Sequence, residues 1–569
     1  MDRSRKGAAF LGAAALLVFS AAGCAPQAPD WTARRDAFIE AEFVAEPAFA
    51  VYQGRHEFDG RIGDFSAAGL QARIAQLRAA REAFQSVEAA DLTPEQRFER
   101  DYLLQLIDGN LFWIAEARQP WTNPVSYLEA IDPSPYLERE YAPVAERLSA
   151  YLKFLAAIPP VLQSAEQNLE LPLVQSQLQR ASSGFAGLAD FLEGDAIAIF
   201  AGVQDAARQA ELKAASSTTA SALRAHVAWL EEQRPQATQA FALGAERFAA
   251  MLRATEGVTT PLAELKKAGE TDLERNLQAL REACAEFAPG ATPADCISKV
   301  RARKAEGGPV QGARRQLEEL RAFLVERDIV SIPGTEAALV AESPPHQRAN
   351  SAYINIPGPY EKGLASVYYI SPPDPSWSAA EQDAYVPGEA DLLFTSAHEV
   401  WPGHFLQFLH SNRAASPVGR LFVGYAFAEG WAHYTEEMML EKGLRGRSAE
   451  ARVGQLSNAL LRNARFLSAI GLHTEGMTLA QSEQLFVDKA FQDVGTARQQ
   501  AARGTYDPAY LNYTLGKLMI RKLRDDWSAT RGGEAAWKAF HDQFLSYGGP
   551  PIPLVRKAML GEGDTGSLL

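Results

Sequence analysis

The feature that most constrains this chain is the helical spacing of its apolar residues. From about residue 67 to 326 the sequence is rich in Ala, Leu, Glu, Arg and Gln, and apolar side chains recur three and four positions apart, as in Tyr151, Phe154, Leu155 and Ile158. This spacing places them on one face of an α-helix. With 569 residues, 47% of them hydrophobic, the chain can bury a large core without a metal or a disulfide. We expect a mainly α-helical protein.

Several helix starts are marked in the sequence. Thr93, Ser378 and Thr478 each precede a helix-favouring run, and each is followed three residues later by Glu or Gln. This is the spacing of a capping box, in which the two side chains satisfy free N–H groups of the first helical turn. We therefore predict that a helix begins after each of them.

A short stretch from residue 343 to 378 has a different composition. Two β-like runs, residues 353–356 and 366–370, flank a segment that starts with Pro-Gly-Pro. This pattern is typical of a hairpin or small paired ribbon. The helical pattern returns after residue 378, so we expect a large helical protein with one small β element and no alternating βαβ order.

The N-terminus resembles an export signal. Three basic residues precede an apolar run from residue 8 to 20, and small residues then lead to Cys24. Such a run is too short to span a bilayer, and residues 1–23 are predicted to be a lipoprotein signal peptide. Cys24 would carry the lipid and residues 24–30 would form a tether, which predicts a periplasm-facing lipoprotein of the cell envelope, at the outer membrane. A plain secreted protein is the alternative.

The body of the chain is predicted to pack as one domain. Its helical N-terminal part is assigned to residues 31–340 and its metal-binding catalytic part to residues 341–569. No run of 18 apolar residues follows the signal, so the only predicted membrane contact is the lipid anchor. The net charge of −14 repels phosphate backbones, and nucleic acid is not an expected partner.

Cys284 and Cys296 are close in sequence and bracket a Pro- and Gly-containing loop. In an oxidising compartment they are predicted to form a disulfide between two helices, and two buried free thiols are the alternative. Neither has a Cys-x-x-Cys or Cys/His neighbourhood, so we expect no metal there.

The chemistry is predicted near residue 400. His398 and Glu399 resemble the start of a His-Glu-x-x-His zinc helix, but the second histidine, His404, comes six residues later instead of four. Six residues turn a regular helix by about 600°, which leaves His404 about 120° off the first face. A bulge at Pro402 and Gly403 would bring the imidazoles together. A broken helix with two unrelated surface histidines is the alternative.

A second segment supplies carboxylates. Glu429, His433 and Glu436 share one helix face, with apolar residues beside them that argue for burial rather than a solvated charged face. Two His and one Glu are the ligands of many catalytic Zn²⁺ sites, so Glu429 is predicted as the third ligand. His433 and Glu436 are predicted to orient the ligands. Manganese or cobalt stays open as the metal.

The motifs His-Glu-x-x-Pro-Gly-His and Glu-Gly-Trp-Ala-x-Tyr-x-Glu resemble those of the bacterial family catalogued as domain-of-unknown-function family 885. That family resembles the gluzincin metallopeptidases, including the helical clamshell enzymes akin to thimet oligopeptidase and Taq carboxypeptidase. The resemblance implies a clamshell-like fold with zinc on His398, His404 and Glu429. It also implies that Glu399 is the general base acting on a zinc-bound water.

Other site residues follow from this mechanism. Tyr513, and second His473, are predicted donors to the developing oxyanion. Arg462 or Arg465 could hold a substrate carboxylate, although pairing on the helix surface is an equal alternative. The strand containing Tyr368 is predicted to offer an unpaired edge to a peptide, with a lid or packing role as the alternative.

The sequence therefore predicts a zinc metallopeptidase of the cell envelope that hydrolyses short peptides. Two alternatives stay open. One keeps the metal but acts as an amidase on peptidoglycan stem peptides, and the other is a non-catalytic helical lipoprotein with a structural metal site. Peptide preference, endo- or exopeptidase action and oligomeric state are not set by the sequence.

Overall fold

The computed structural model describes residues 30–344, 347–348 and 350–569. The chain is 71% helical with a small three-stranded sheet, as the sequence predicts. The predicted signal peptide, the lipidation site Cys24 and all but the last residue of the predicted tether lie outside the described residues. Within those residues, no helix combines the length and the hydropathy that crossing a membrane requires.

The first half of the fold is a succession of helices. They are α1 (Trp31–Ala45), α2 (Pro47–Tyr52), α3 (Ala67–Gln85), α4 (Pro94–Leu111), α5 (Gln119–Thr122), α6 (Val125–Ala130), α7 (Ser134–Glu138), α8 (Val144–Asn168), α9 (Gln175–Glu193), α10 (Asp195–Ile199), α11 (Ala206–Gln233), α12 (Ala245–Glu256), α13 (Leu262–Phe287), α14 (Pro293–Arg301) and α15 (Pro309–Arg327).

The second half begins with the sheet and continues with helices. These are α16 (Ala379–Tyr385), α17 (Glu389–Glu399), α18 (His404–Ser411), α19 (Pro417–Leu421), α20 (Tyr425–Glu441), α21 (Ala449–Thr474), α22 (Leu479–Ala490), α23 (Val494–Tyr506), α24 (Asn512–Ala529), α25 (Trp537–Ser546) and α26 (Ile552–Leu560). Thr93, Ser378 and Thr478 each form the predicted capping box.

The sheet contains β1 (Ala338–Glu342), β2 (Ala352–Asn355) and β3 (Ser366–Ile370) in the order β1-β3-β2. The predicted pairing is present, because β2 runs antiparallel to β3. The strand β1, which the sequence analysis missed, pairs in parallel with the other side of β3. Both edges of β3 are therefore occupied, so the prediction that this strand offers an unpaired edge to a peptide is wrong.

The buried apolar residues form two clusters. One is built from residues 31–230 and includes Val418, Leu421 and Phe422 from the second half, and the other extends from residue 248 to 559 and includes Phe112. The chain therefore leaves the first cluster after α11 and enters the second cluster at α12. This division does not coincide with the predicted boundary at residue 340, because α12 to α15 pack with the metal-binding helices.

The two remaining cysteines join neighbouring helices. Cys284 lies near the end of α13 and Cys296 lies in α14, and their Cα atoms are 5.7 Å apart in a disulfide. The structure thus pairs them as the sequence predicts. The bridge closes the turn between two helices that contribute to the second core.

Candidate metal centre

The two histidines near residue 400 lie on two different helices. α17 ends at Glu399 and α18 begins at His404, with a link that contains a cis Trp401–Pro402 peptide bond. The predicted bulge within one long helix is therefore wrong. The chain instead breaks the helix and turns, and Trp431 of α20 holds this turn by donating its Nε1–H to the carbonyl oxygen of Pro402 at 2.8 Å.

Gly403 makes this turn possible. Its N–H donates to the carbonyl oxygen of Ala397 at 2.9 Å, so the backbone folds back onto the end of α17. A Cβ atom at position 403 would lie 1.7 Å from the carbonyl oxygen of His398, a distance that no side chain tolerates. The Pro-Gly pair thus has a steric role, because it lets His404 return to the side of His398.

His398, His404 and Glu429 converge. Their candidate ligand atoms all lie within 4.8 Å of one another. Glu429 Oε2 is 3.2 Å from His398 Nε2 and 3.4 Å from His404 Nε2, and the two imidazole rings are nearly perpendicular with centroids 4.8 Å apart. The alternative of two unrelated surface histidines is therefore excluded.

These spacings fit a small tetrahedral cation. Two ligands at about 2.05 Å from a tetrahedral Zn²⁺ ion are about 3.4 Å apart, close to the measured separations. The buried Oε2 atom of Glu429 has no hydrogen bond of acceptable geometry within the described residues. A buried carboxylate oxygen without a donor is what a bound cation would satisfy. The donor set also suits zinc, because it is two imidazoles and one carboxylate.

The electrostatics of Glu429 agree with this arrangement. Burial raises the pKa of Glu429, but His404 and His398 outweigh it and hold that pKa well below its usual range. Glu429 is therefore ionised and able to act as a ligand. The same short contacts would also exist as ion pairs if the imidazoles carried protons, so the geometry defines a site where a divalent ion and protons compete.

Glu436 and Arg462 lie on the Nδ1 side of His398, away from Glu429. Glu436 Oε1 is 2.8 Å from His398 Nδ1, and Arg462 Nη2 is 3.0 Å from the same oxygen. An Nδ1–H that donates to Glu436 leaves the Nε2 lone pair pointing towards Glu429. Burial raises the pKa of Glu436, but Arg462, His398 and His433 together outweigh burial and keep it ionised. Because Arg462 is engaged in this way, it is poorly placed to hold a substrate carboxylate.

His433 lies beneath this group and is completely buried. Its Nδ1 is 3.7 Å from Glu436 Oε1, and neither ring nitrogen has a hydrogen-bond partner in the part of the chain that the structure describes. Burial lowers the pKa of His433 to about 4, so the ring is neutral at physiological pH. It lies beside Glu436, and within the described residues no hydrogen bond joins it to the candidate ligands, so its role in orienting them stays a prediction.

Glu399 is the last residue of α17 and follows His398 directly. Burial raises its pKa, and the nearby His398 and His404 oppose that effect. Tyr368 is close by, since Glu399 adds to the effect of burial in raising the pKa of the Tyr368 hydroxyl. Tyr368 is fully buried in the central strand, so the sheet supports the metal helix from one side.

Tyr513 covers the other side. Its ring stacks 6.3 Å from that of His398 with an interplanar angle of 15°, and burial together with Glu429 raises the pKa of its hydroxyl. The guanidinium carbons of Arg465 and Arg462 lie 4.9 and 5.7 Å from the ring centroid. The structure thus gathers Tyr513 and both predicted arginines beside the metal centre.

His473 does not belong to this group. It lies 11 residues after Arg462 on α21, about 16 Å along the helix axis. Its Nδ1 accepts from the N–H of Leu243 and its Nε2 donates to the carbonyl of Gly504, so both nitrogens are engaged. Burial lowers its pKa to about 4. These contacts describe a packed structural residue rather than the predicted oxyanion donor.

A cavity of about 460 Å³, which the sequence analysis missed, adjoins the site. It is lined by Tyr425, Arg503, Asp507 and Glu256, among others. Tyr425 packs edge-on against Tyr513 with centroids 5.8 Å apart, and its hydroxyl binds Arg503 and Asp507. Tyr425 precedes Glu429 by one helical turn, a spacing that could have signalled its position, whereas nothing in the sequence marks the others.

The fold and the site together define a mainly helical protein with a buried His/His/Glu centre. A family model described as "Bacterial protein of unknown function (DUF885)" matches residues 47–559, and the chain therefore belongs to the DUF885 family. Among curated proteins, no relative matches this sequence.

Two solved structures share the fold. One is a protein from Shewanella oneidensis, provisionally assigned as a lipoprotein of unknown function, which has 24% sequence identity and a TM-score of 0.78 over 94% of this chain and 100% of its own. The other, provisionally assigned as a lipoprotein from Colwellia psychrerythraea, has 15% identity and a TM-score of 0.78 over 93% of this chain and 98% of its own.

Proposed function

We propose that this protein is a zinc-dependent peptidase of the cell envelope that hydrolyses short peptides. The observation that carries the proposal is the convergence of His398, His404 and Glu429 from three helices, with Glu399 directly beside them. Three protein ligands leave one position of a tetrahedral ion open, as catalytic zinc sites require and closed structural sites do not.

The residues around the centre supply the parts of a hydrolytic reaction. A zinc ion held by the three ligands would polarise the scissile carbonyl and lower the pKa of a water molecule to about 7. Glu399 accepts the proton of the attacking water and passes it to the nitrogen of the leaving amine as the C–N bond breaks. Tyr513 donates a hydrogen bond from its hydroxyl group to the carbonyl oxygen as that oxygen gains negative charge, and it keeps its proton.

The surroundings favour amide chemistry over a purely structural metal. A structural site needs no carboxylate besides its ligands, yet Glu399 is kept in a buried position where burial raises its pKa. A base with a raised pKa accepts a proton more readily near neutral pH. This reasoning also supports the proposed kinship with gluzincin metallopeptidases, which the motif around His398 first suggested.

The proposed location rests on the N-terminal sequence and on the relatives. The basic and apolar run before Cys24 is typical of lipoprotein export. Both structural relatives are provisionally assigned as lipoproteins. A disulfide between Cys284 and Cys296 agrees with an oxidising compartment outside the cytoplasm. These observations support our proposal that the protein belongs to the cell envelope, tethered by lipid and facing the periplasm.

The test is metal analysis combined with turnover of a mixed peptide library read by mass spectrometry. We expect one equivalent of zinc and cleavage by the native protein. Glu399→Gln should keep the metal and lose at least about a hundredfold in turnover, whereas Glu389→Gln, at the start of the same helix, should retain both. Full turnover in Glu399→Gln would contradict the mechanism.

The same preparation decides between the two open alternatives. Peptidoglycan stem peptides are included in the library, and cleavage restricted to them would replace the peptidase by an amidase. Bound metal without turnover of any substrate would support the structural lipoprotein. His410→Gln is the control for metal loss in His404→Gln, because His410 lies on the same helix and its ring donates to the carbonyl of Ser331 instead of facing the candidate ligands.

A further inference from the structure

Arg465 differs from the arginines beside it because it has no acidic partner. Arg462 is paired with Glu436 and Arg503 with Asp507, at 3.0 and 2.8 Å. The Nε of Arg465 instead donates to the neutral side chain of Gln500 at 2.8 Å. Throughout the described ranges no carboxylate forms an ion pair with its guanidinium group, and its two terminal amino groups make no hydrogen bond.

The positive charge of the Arg465 guanidinium group is not neutralised by any carboxylate within the described residues. Burial lowers the pKa of Arg465, and the positive charge of Arg503 lowers it further. The side chain stays protonated nevertheless, because arginine does not lose its proton in proteins. Besides the hydrogen bond to Gln500, the face of the Tyr513 ring lies 4.9 Å away, and a cation–π contact is weaker than a bidentate pair with an anion.

Arg465 is also close to the metal centre. Tyr513 bridges the two, since its ring lies 4.9 Å from the Arg465 guanidinium carbon and 6.3 Å from the His398 ring. The guanidinium group can therefore be no farther from the His398 ring than these two distances combined. An extended peptide advances about 3.5 Å per residue, and a charge-assisted N···O contact takes about 2.8 Å. No more than about three residues are therefore needed to span the gap.

We propose that Arg465 binds a carboxylate of the substrate and holds it within about three residues of the scissile bond. The inference rests on the proposed peptidase function and deepens it, because it makes an anionic peptide the substrate class. The carboxylate is either the free C-terminus, which makes the enzyme an exopeptidase, or an acidic side chain beside the bond. The planar guanidinium group suits bidentate contact with either.

Two residues that line the neighbouring cavity also contact Tyr513. Tyr425 and Arg503, which line the cavity, both contact the Tyr513 ring, and Arg503 is 6.0 Å from its centroid. Asp507 neutralises Arg503, so among the arginines beside Tyr513 it is Arg465 that keeps no carboxylate partner within the described residues.

The melting temperature tests whether the charge of Arg465 is unpaired, and this measurement does not depend on enzymatic activity. Arg465→Gln keeps a donor for Gln500 and removes a charge that no carboxylate compensates, so its melting temperature should equal or exceed that of the native protein. Arg452→Gln is the matched control, because Arg452 lies on the same helix and is paired with Glu286. A fall of more than about 4 °C in Arg465→Gln alone would mean a structural arginine and overturn the proposal.

Binding is then measured by calorimetry in the full chain carrying Glu399→Gln, which blocks turnover. The probes are acetyl-Ala-Ala as free acid and as C-terminal amide, and amide-blocked acetyl peptides with Glu or Gln beside the bond. We expect at least tenfold tighter binding of the acid or of the Glu peptide. Arg465→Gln should abolish that difference, Arg465→Lys should keep part of it, and Arg452→Gln should keep all of it.

The outcomes separate this proposal from the peptidase itself. Discrimination that depends on Arg465, with no hydrolysis of any peptide by the native protein, supports the carboxylate site and removes the peptidase function. Hydrolysis that is equally fast for acid, amide, Glu and Gln substrates leaves the peptidase standing and overturns the role of Arg465. Discrimination that survives in Arg465→Gln also overturns it.

Discussion

Glu436 Oε1 lies 2.8 Å from Nδ1 of His398, on the side of the ring that faces away from Glu429. This contact fixes which imidazole nitrogen carries the proton and which is free to bind a metal. Arg462 in turn forms an ion pair with the same oxygen of Glu436. The orientation of the His398 ring therefore depends on both contacts.

Glu436→Gln should therefore weaken metal affinity by about ten- to a hundredfold, because the neutral amide no longer favours the Nδ1–H form of His398. Competition with a fluorescent zinc chelator measures this. Glu441→Gln, at the C-terminal end of the same helix, is the control, because Glu441 pairs with Arg524 instead of a candidate ligand. An unchanged zinc affinity in Glu436→Gln would show that the contact between Glu436 and His398 does not contribute to metal binding.

Gly403→Ala should disrupt the turn between α17 and α18. The new Cβ would lie 1.7 Å from the carbonyl oxygen of His398, so we expect a loss of about 3 kcal/mol or more in the free energy of unfolding. Zinc binding should fall as His404 moves. Gly187→Ala is the matched control, since a Cβ there meets nothing within 4 Å, and it should be neutral or slightly stabilising. Both are measured by urea denaturation.

Glu256 should make stability depend on pH. It is buried at the cavity, where Asn512 donates to its Oε1 at 2.8 Å and burial raises its pKa to about 8. The folded state then holds a proton that the unfolded state releases above about pH 4.5, so stability is lost as pH rises from there to about 8.

Glu256→Gln removes this titration. Its free energy of unfolding relative to the native protein should rise with pH between 5 and 8, by a few kcal/mol, since one pKa unit corresponds to about 1.4 kcal/mol. Denaturant titrations at several pH values measure the difference. Glu246→Gln, exposed on the same helix α12, is the control, and parallel pH profiles for both variants would count against a titrating Glu256.

The disulfide should stabilise the second core. Replacing Cys284 and Cys296 with Ala should lower the free energy of unfolding by about 2–4 kcal/mol, because the bridge restricts the unfolded chain. Thermal unfolding with and without reductant measures this, and the double variant should be insensitive to reductant. Equal melting temperatures for the native and the double variant would show that the bridge contributes little.

Part of the fold follows from local sequence patterns. The capping boxes at Thr93, Ser378 and Thr478 and the pairing of β2 with β3 were predicted correctly, because each depends on residues near one another in the chain. The strand β1 was missed, since it is short and pairs with a strand more than twenty residues away. The unpaired edge predicted for β3 was wrong for the same reason.

The candidate site, too, could be predicted from local sequence patterns only in part. The types and spacing of His398, His404 and Glu429 pointed to zinc, but the explanation offered for the long gap, a bulged helix, was wrong. His473 was chosen from its residue type and motif, whereas its surroundings engage both of its nitrogens. The roles of Tyr425, Arg503 and Glu256 depend on packing between distant helices, which local spacing does not encode.

The sequence by itself determined the helical character, the family and the identity of the three candidate ligands, because residue type and short-range spacing carry that information. Only the tertiary structure decided that the ligands meet and that Arg462 is paired with Glu436, whereas Arg465 has no carboxylate partner within the described residues. The physical reason is that ion pairing and burial are set by which helices pack together, and α17, α20, α21 and α24 are brought side by side only in the folded chain.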